Sequence, residues 1–133
     1  MTPDEIRLVR QTSDVILGSS GFADFFYDRL FARAPETRAL FRSDMQEQKM
    51  KFMNMIATLV GSLDRPDVFA GVPRHLGSRH ANYGVISDHY GPVGEALIEA
   101  LETELAARFT PDVRAAWISL YGEVSTAMTR GAA

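Results

Sequence analysis

Apolar side chains recur with helical spacing from one end of the sequence to the other, and no stretch of useful length alternates between apolar and polar residues. Sequence signals for the start of a helix accompany this pattern. Thr2-Pro3-Asp4-Glu5 combines a capping threonine, a proline suited to the first helical turn and a glutamate that completes a capping box. Thr110-Pro111-Asp112 repeats the first part of this signature. The sequence therefore predicts an all-α fold.

Each predicted helix has one apolar face. A new turn begins at Pro35, a long helix ends at Asp64-Arg65-Pro66, a shorter helical piece begins at Pro73, and another long helix runs from about Tyr90 to Phe109. We expect the following side chains to face the core: Ile6, Val9, Ile16 and Leu17; Phe22, Phe25, Phe26 and Leu30; Phe52, Met55, Ile56, Leu59, Val60 and Leu63; Val93, Leu97, Leu101 and Leu105; and Val113, Ala116, Trp117, Leu120, Tyr121, Val124 and Met128.

Composition limits what such a helical chain can do. With 133 residues, 46% of them hydrophobic, we expect one domain spanning residues 1–133. A net charge of -3 gives no basic field for nucleic acid, and no apolar run approaches the roughly 18 residues that a membrane span needs. Because the chain has no cysteine, histidine is its strongest ligand for a transition metal. We expect a soluble, cytoplasmic protein without nucleic-acid or membrane partners.

Two of the three histidines lie on a short helical segment, and helical geometry separates them. His80 is four positions after Leu76 and shares its inward face, whereas His75 is five positions away from His80 and points to solvent. An inward histidine is either a buried imidazole satisfied by one hydrogen bond or a ligand. The spacing of His75, His80 and His89 does not match the pair of histidines four residues apart that is typical of a helical zinc site.

Two further polar residues lie on apolar helix faces. Gln48 is in line with Phe52, Met55 and Leu59, and Tyr27 falls within the apolar arc of its helix. Taken alone, such a tyrosine is a core residue and such a glutamine is a surface residue. With His80 they predict a pocket that holds one basic ligand and two neutral hydrogen-bond donors, in a chain without a catalytic triad or a phosphate loop.

The order of these residues resembles the globin family, in particular the bacterial single-domain haemoglobins and the haem domain of flavohaemoglobins. FFYDRLFARAPETRALF, residues 25–41, is similar to their second and third helices, and RHANYGVISDHYGPVGEAL, residues 79–97, is similar to their proximal segment. The resemblance covers essentially the whole chain. It implies a globin fold of six to eight helices around a haem pocket.

The resemblance also implies a role for individual residues. His80 matches the proximal iron ligand, its imidazole oriented by the carbonyl of Leu76, and Tyr27, Gln48 and Phe52 match the distal wall. His89 and Lys51 are candidates for contacts with the haem propionates, with solvent exposure as the alternative for His89. The residues expected to bind the cofactor are Phe41, Lys51, Phe52, Leu76, His80, Val85, His89, Tyr90, Val93 and Leu97. The absence of cysteine for thioether attachment makes this haem b.

The sequence departs from flavohaemoglobins at the proximal side. Their proximal glutamate falls opposite Ala132, and no flavin or nicotinamide domain follows in the sequence. We therefore expect an ordinary neutral imidazole at His80 and a separate reductase for any turnover.

Three functions remain open at this point. The favoured one is reversible binding of O2, and of CO and NO, for storage, delivery or sensing, by a monomer or weak homodimer. The second is oxidation of nitric oxide to nitrate with a separate reductase. It is favoured by the tyrosine and glutamine of the distal wall, which the resemblance shares with flavohaemoglobins. The third, a haem-free helical bundle, leaves the order of Tyr27, Phe41, Gln48 and His80 unexplained.

Overall fold

The computed structural model describes residues 1–41, 44–65, 69 and 90–132. Within these ranges the chain forms α1 (Pro3–Leu17), α2 (Phe22–Arg33), a 3-10 segment (Pro35–Leu40), α3 (Met45–Gly61), α4 (Tyr90–Leu105), a second 3-10 segment (Ala106–Arg108) and α5 (Pro111–Ala132). No strand occurs in them, and the predicted all-α class is confirmed. None of the described helices is long and apolar enough to cross a membrane.

α1 and α5 begin where the sequence signals predict, and α3 begins at a cap that was not predicted from the sequence. Thr2 Oγ1 accepts from the Glu5 backbone N–H at 3.1 Å while Glu5 Oε1 accepts from the Thr2 N–H at 2.9 Å, which completes the capping box of α1. Thr110 Oγ1 accepts from Val113 N–H at 3.2 Å at the start of α5. Asp44 caps α3 by accepting from Gln46 N–H at 3.0 Å. These contacts satisfy backbone donors that have no partner within the helix.

Two helix pairs organise the core. α2 packs on α4, and α1 packs on α5. At the second contact the indole Nε1 of Trp117 donates to Thr12 Oγ1 at 2.9 Å, so the polar edge of the largest buried side chain has a partner. The buried apolar residues include Val9, Ile16, Phe22, Phe26, Leu30, Ile56, Leu59, Val60, Leu101, Leu105, Val113, Ala116, Leu120 and Val124.

One predicted inward position was wrong, and several others are only partly buried. Leu17 is 39% exposed, because it follows Ile16 by a single residue and is therefore turned away from the face that Val9 and Ile16 bury. In α4 Ala96 and Ala100 are fully buried, whereas Val93 and Leu97 are only partly buried. Phe25, Met55 and Tyr121 are likewise partly buried, and the Met128 side chain lies outside the described part.

Two helices end earlier than the sequence predicts. α4 stops at Leu105 because Ala106 takes the left-handed conformation, with φ of 50°, and a 3-10 turn follows. α3 stops at Gly61, and the N–H of Ser62 donates to the carbonyls of Leu59 and Val60 to close the last turn. The segment that begins at Pro73 lies outside the described residues.

Candidate functional site

α2 and α3 bring the two predicted distal residues into direct contact. The Nε2 group of Gln48 donates to the hydroxyl oxygen of Tyr27 at 3.1 Å. Tyr27 lies in the middle of α2 and Gln48 lies in the first turn of α3, 21 positions later in the chain. Helical spacing alone placed each residue on an apolar face, and the crossing of the two helices makes them partners.

Aromatic rings surround this polar pair. The Tyr27 ring meets Phe52 edge-on with centroids 5.6 Å apart, and meets Phe41 edge-on at 5.4 Å. Phe52 stacks on Phe26 at 4.3 Å. On the other side Phe31 lies 5.9 Å from Tyr27 and 5.7 Å from Phe41. The phenol is thus held by ring packing, which fixes the direction of its hydroxyl.

Burial keeps the Tyr27 hydroxyl neutral. Its side chain is 3% exposed, and burial raises the pKa of Tyr27 to about 12, although the hydrogen bond from Gln48 acts in the opposite direction. The hydroxyl therefore keeps its proton throughout the ordinary pH range. Because its oxygen accepts from Gln48, the O–H bond of Tyr27 remains free to donate to a third group.

Apolar side chains from three segments pack against the core and have surface left to cover. Phe41 follows the first 3-10 segment, Met45 begins α3, and Val93 and Leu97 lie one turn apart on α4. All four pack against the core while remaining only partly buried. A planar apolar cofactor is the kind of group that would cover such a set, so these residues fit the haem pocket that the resemblance implies.

The proximal predictions fall mostly on residues that the structure does not describe. Leu76, His80, Val85 and His89 lie outside the described ranges, as does the side chain of Tyr90 at the start of α4. In the described part no group of three or more histidine, aspartate or glutamate residues could hold a metal ion. Lys51 is exposed and pairs with Glu47 of its own helix at 3.4 Å.

Sequence reasoning missed an ion pair beside the Tyr27–Gln48 contact. Lys49 Nζ lies 2.7 Å from Asp24 Oδ1 and joins α3 to α2. A signal was present in the sequence, since Lys49 has no acidic residue three or four positions away on its own helix. A lysine without a partner on its own helix is a candidate for a pair between helices.

Comparison with known proteins agrees with this geometry. The globin family model matches residues 24–128. The chain is 26% identical to a flavohemoprotein of Bordetella pertussis over 129 residues, which cover 94% of this chain and 32% of that protein. A flavohemoprotein of Rhizobium meliloti is also 26% identical, over 89% of this chain and 32% of the relative. The chain thus spans about a third of the length of these flavohemoproteins.

A relative of more similar length is a neuroglobin of Danio rerio. It is 33% identical over 107 residues, which cover 80% of this chain and 66% of the neuroglobin. The matched range of the family model includes α3, α4 and most of α2 and α5. The predicted globin fold is confirmed, and the chain belongs to the globin family.

Proposed function

We propose that this chain, as one globin domain, binds haem b and reversibly binds O2, and also CO and NO, at an iron held by His80. The observation that carries the proposal is the hydrogen bond from Gln48 Nε2 to the Tyr27 hydroxyl at 3.1 Å inside an aromatic wall. It leaves two neutral donors for a third group: the O–H of Tyr27, which keeps its proton at ordinary pH, and the second N–H of the Gln48 amide. Membership of the globin family and the relatives named flavohemoprotein support haem as the cofactor.

The residues proposed to hold haem divide into three groups by chemistry. Phe41, Phe52, Val93 and Leu97 supply apolar contact, of which Phe41, Val93 and Leu97 have apolar surface left to cover. Leu76, His80, Val85 and Tyr90 form the proposed proximal side. Lys51 and His89 are proposed contacts for the propionates, and the exposure of Lys51 fits that role. When bound, haem supplies the metal to which a diatomic gas binds.

Tyr27 and Gln48 would control how long the gas stays. The outer atom of O2 carries partial negative charge and accepts hydrogen bonds, whereas CO carries little. Each neutral donor contributes about 0.5–1.5 kcal/mol, and about twice that toward a charged acceptor, so two donors slow O2 release by roughly two to four powers of ten. High affinity for O2 follows from slow release.

Oxidation of nitric oxide is the second candidate. The flavohemoprotein relatives, named for a flavin and a haem, favour it, and this chain aligns with about a third of their length. Electrons for repeated turnover would come from a reductase of the flavin class. Steady-state consumption of nitric oxide by the purified chain with a supplied flavin reductase distinguishes the candidates: sustained turnover supports the enzyme, and a single turnover per haem supports the gas binder.

Replacement of His80 tests the proposed iron ligand. His80→Ala is expected to lose stable one-to-one binding of haem and the absorption changes that reduction and CO produce, because no other side chain replaces the imidazole. His75→Ala is the matched control on the same segment and is expected to bind haem like the original chain. Normal stoichiometry and spectra in His80→Ala, with their loss in His75→Ala, would overturn the assignment.

A further inference from the structure

The ion pair between Asp24 and Lys49 connects the same helical turns as the distal hydrogen bond. Lys49 directly follows Gln48 in α3, and Asp24 lies three residues before Tyr27 in α2. The ion pair spans 2.7 Å and the hydrogen bond 3.1 Å. Positions three apart on a helix are neighbours on its surface, so the two contacts lie side by side across the junction of α2 and α3.

Neither charged residue has an oppositely charged partner on its own helix. Lys49 has methionine, glutamine and phenylalanine three and four positions away, and Asp24 has Ser20, Gly21, Tyr27 and Asp28 at the same distances. Lys51, two positions after Lys49, pairs instead with Glu47 within α3. Lys49 therefore contributes to the contact between the helices rather than to the stability of α3 alone.

The lysine of this pair is less exposed than a lysine in an ordinary surface pair, whereas the Asp24 side chain is 57% exposed. The Lys49 side chain is 22% exposed, against 59% for Lys51. Partial burial of the lysine weakens screening by solvent and orders its stem. The Asp24–Lys49 pair joins the N-terminal part of α3 to α2. At the other end, Arg10 of α1 pairs at 2.9 Å with Asp64, three residues past the end of α3.

We propose that Asp24 and Lys49 are positioning residues that hold the first turns of α3 against α2, so that Gln48 meets the Tyr27 hydroxyl. The pair then sets ligand release without touching the ligand. A glutamine side chain has three rotatable bonds, and a hydrogen bond weakens steeply when its geometry departs from the optimum. The part of this proposal that concerns ligand release rests on the proposed function.

The direct test observes Gln48 itself. In isotope-labelled protein as purified, the side-chain amide of Gln48 is expected to show a nuclear Overhauser contact with the Tyr27 ring. Lys49→Met keeps the length of the stem and removes the charge, and it is expected to weaken that contact and shift the amide resonance. The double variant Asp24→Lys with Lys49→Asp restores opposite charges and is expected to recover both signals.

The surface pair of Arg10 and Asp64 provides the matched control. Asp64→Asn removes the charge that faces Arg10 across 2.9 Å, three residues past the end of α3. It is expected to leave the Gln48 amide signals unchanged, which separates positioning from a general loosening of surface ion pairs. Retention of the original Gln48 signals in Lys49→Met, or equal changes in Asp64→Asn, overturns the proposal.

The O2 dissociation rate provides a second test of the positioning role. Lys49→Met is expected to raise the O2 dissociation rate about two- to fivefold, which is the factor that corresponds to the free energy of a single partly exposed ion pair. Its O2 dissociation rate is not expected to exceed that of Gln48→Leu. In a Gln48→Leu background the lysine replacement is expected to have no further effect. If the lysine replacement raises the O2 dissociation rate equally with Gln48 present and with Gln48→Leu, the inference that Lys49 acts through Gln48 is overturned. Unchanged O2 release in Tyr27→Phe defeats the proposed function instead, while the amide signals still decide the positioning.

Discussion

A phenol that is buried among aromatic rings has to keep its proton and find a polar partner. Tyr27 does both, since burial raises its pKa to about 12 and Gln48 donates to its oxygen. The unsatisfied part of the phenol is its O–H bond, which is the part that a bound gas can use. The same side chain therefore packs within the core and carries a donor that the proposed function needs.

The raised pKa of Tyr27 predicts how function and stability depend on pH. O2 release is expected to stay constant from about pH 6 to about pH 9, because the hydroxyl remains protonated. In the unfolded chain a tyrosine ionises near pH 10, whereas Tyr27 in the folded chain ionises near 12. Above about pH 10 the unfolded state loses this proton first, so the free energy of unfolding falls with rising pH through this window, by about 1.4 kcal/mol per unit.

Urea denaturation of the original chain and Tyr27→Phe at several pH values from about 9 to 12 measures this contribution. The remaining tyrosines and the lysines are common to both proteins, so the difference isolates Tyr27. We expect the stability difference between the two proteins to shrink as the pH rises. A difference that stays constant would show that Tyr27 ionises normally.

At the scale of helices, α4 lies in contact with both α2 and α5. Ion pairs fasten it to α2, with Arg29 donating to Glu99 and Arg33 donating to Glu95. Its contact with α5 depends on a small residue. A Cβ atom added at Gly94 would lie 2.7 Å from Cε2 of Tyr121, closer than van der Waals contact permits.

Gly94→Ala is therefore expected to destabilise the protein by about 1–3 kcal/mol, because the Tyr121 ring has to move. Gly91→Ala is the matched control one turn earlier in α4, where an added Cβ meets nothing within 4 Å. The control is expected to be neutral or stabilising by about 0.5–1 kcal/mol, since alanine favours a helix over glycine. Equal midpoints of urea unfolding for the two variants would contradict this close approach.

Sequence patterns predict the helices well because caps and apolar spacing are local. The capping box at Thr2 and the start of α5 after Thr110 are examples. Burial along α4 was harder to predict, since Ala96 and Ala100 are fully buried where larger Val93 and Leu97 were expected. Apolar spacing identifies a face, but close packing between helices selects small residues within it.

At the candidate site, too, local features could be predicted from the sequence and contacts between helices could not. Helical spacing placed Tyr27 and Gln48 on inward faces, but their mutual hydrogen bond depends on how α2 crosses α3. The pair of Asp24 and Lys49 was missed for that reason, since partners 25 positions apart share no helix and a charged residue is ordinarily read as solvated surface. The roles assigned to His80 and its neighbours stay predictions.

At the scale of the whole molecule, haem would complete the core. Phe41, Val93 and Leu97 pack against buried residues while remaining only partly buried, and a bound apolar ring would cover the apolar surface that they leave exposed. A ligand that binds only the folded state stabilises it. Haem-loaded protein is therefore expected to melt at a higher temperature and to be more helical than haem-free protein. Identical melting temperatures by circular dichroism would contradict a haem-filled core.

The central claim is that Tyr27 and Gln48 hold the outer atom of O2 by hydrogen bonds. The most direct test is the rate of O2 release, by stopped-flow displacement, from the original protein and from Tyr27→Phe, with CO release measured alongside. We expect Tyr27→Phe to release O2 about tenfold faster or more, a loss of about 1.4 kcal/mol or more, while CO release changes far less. Unchanged O2 release, or equal changes for O2 and CO, would contradict the account.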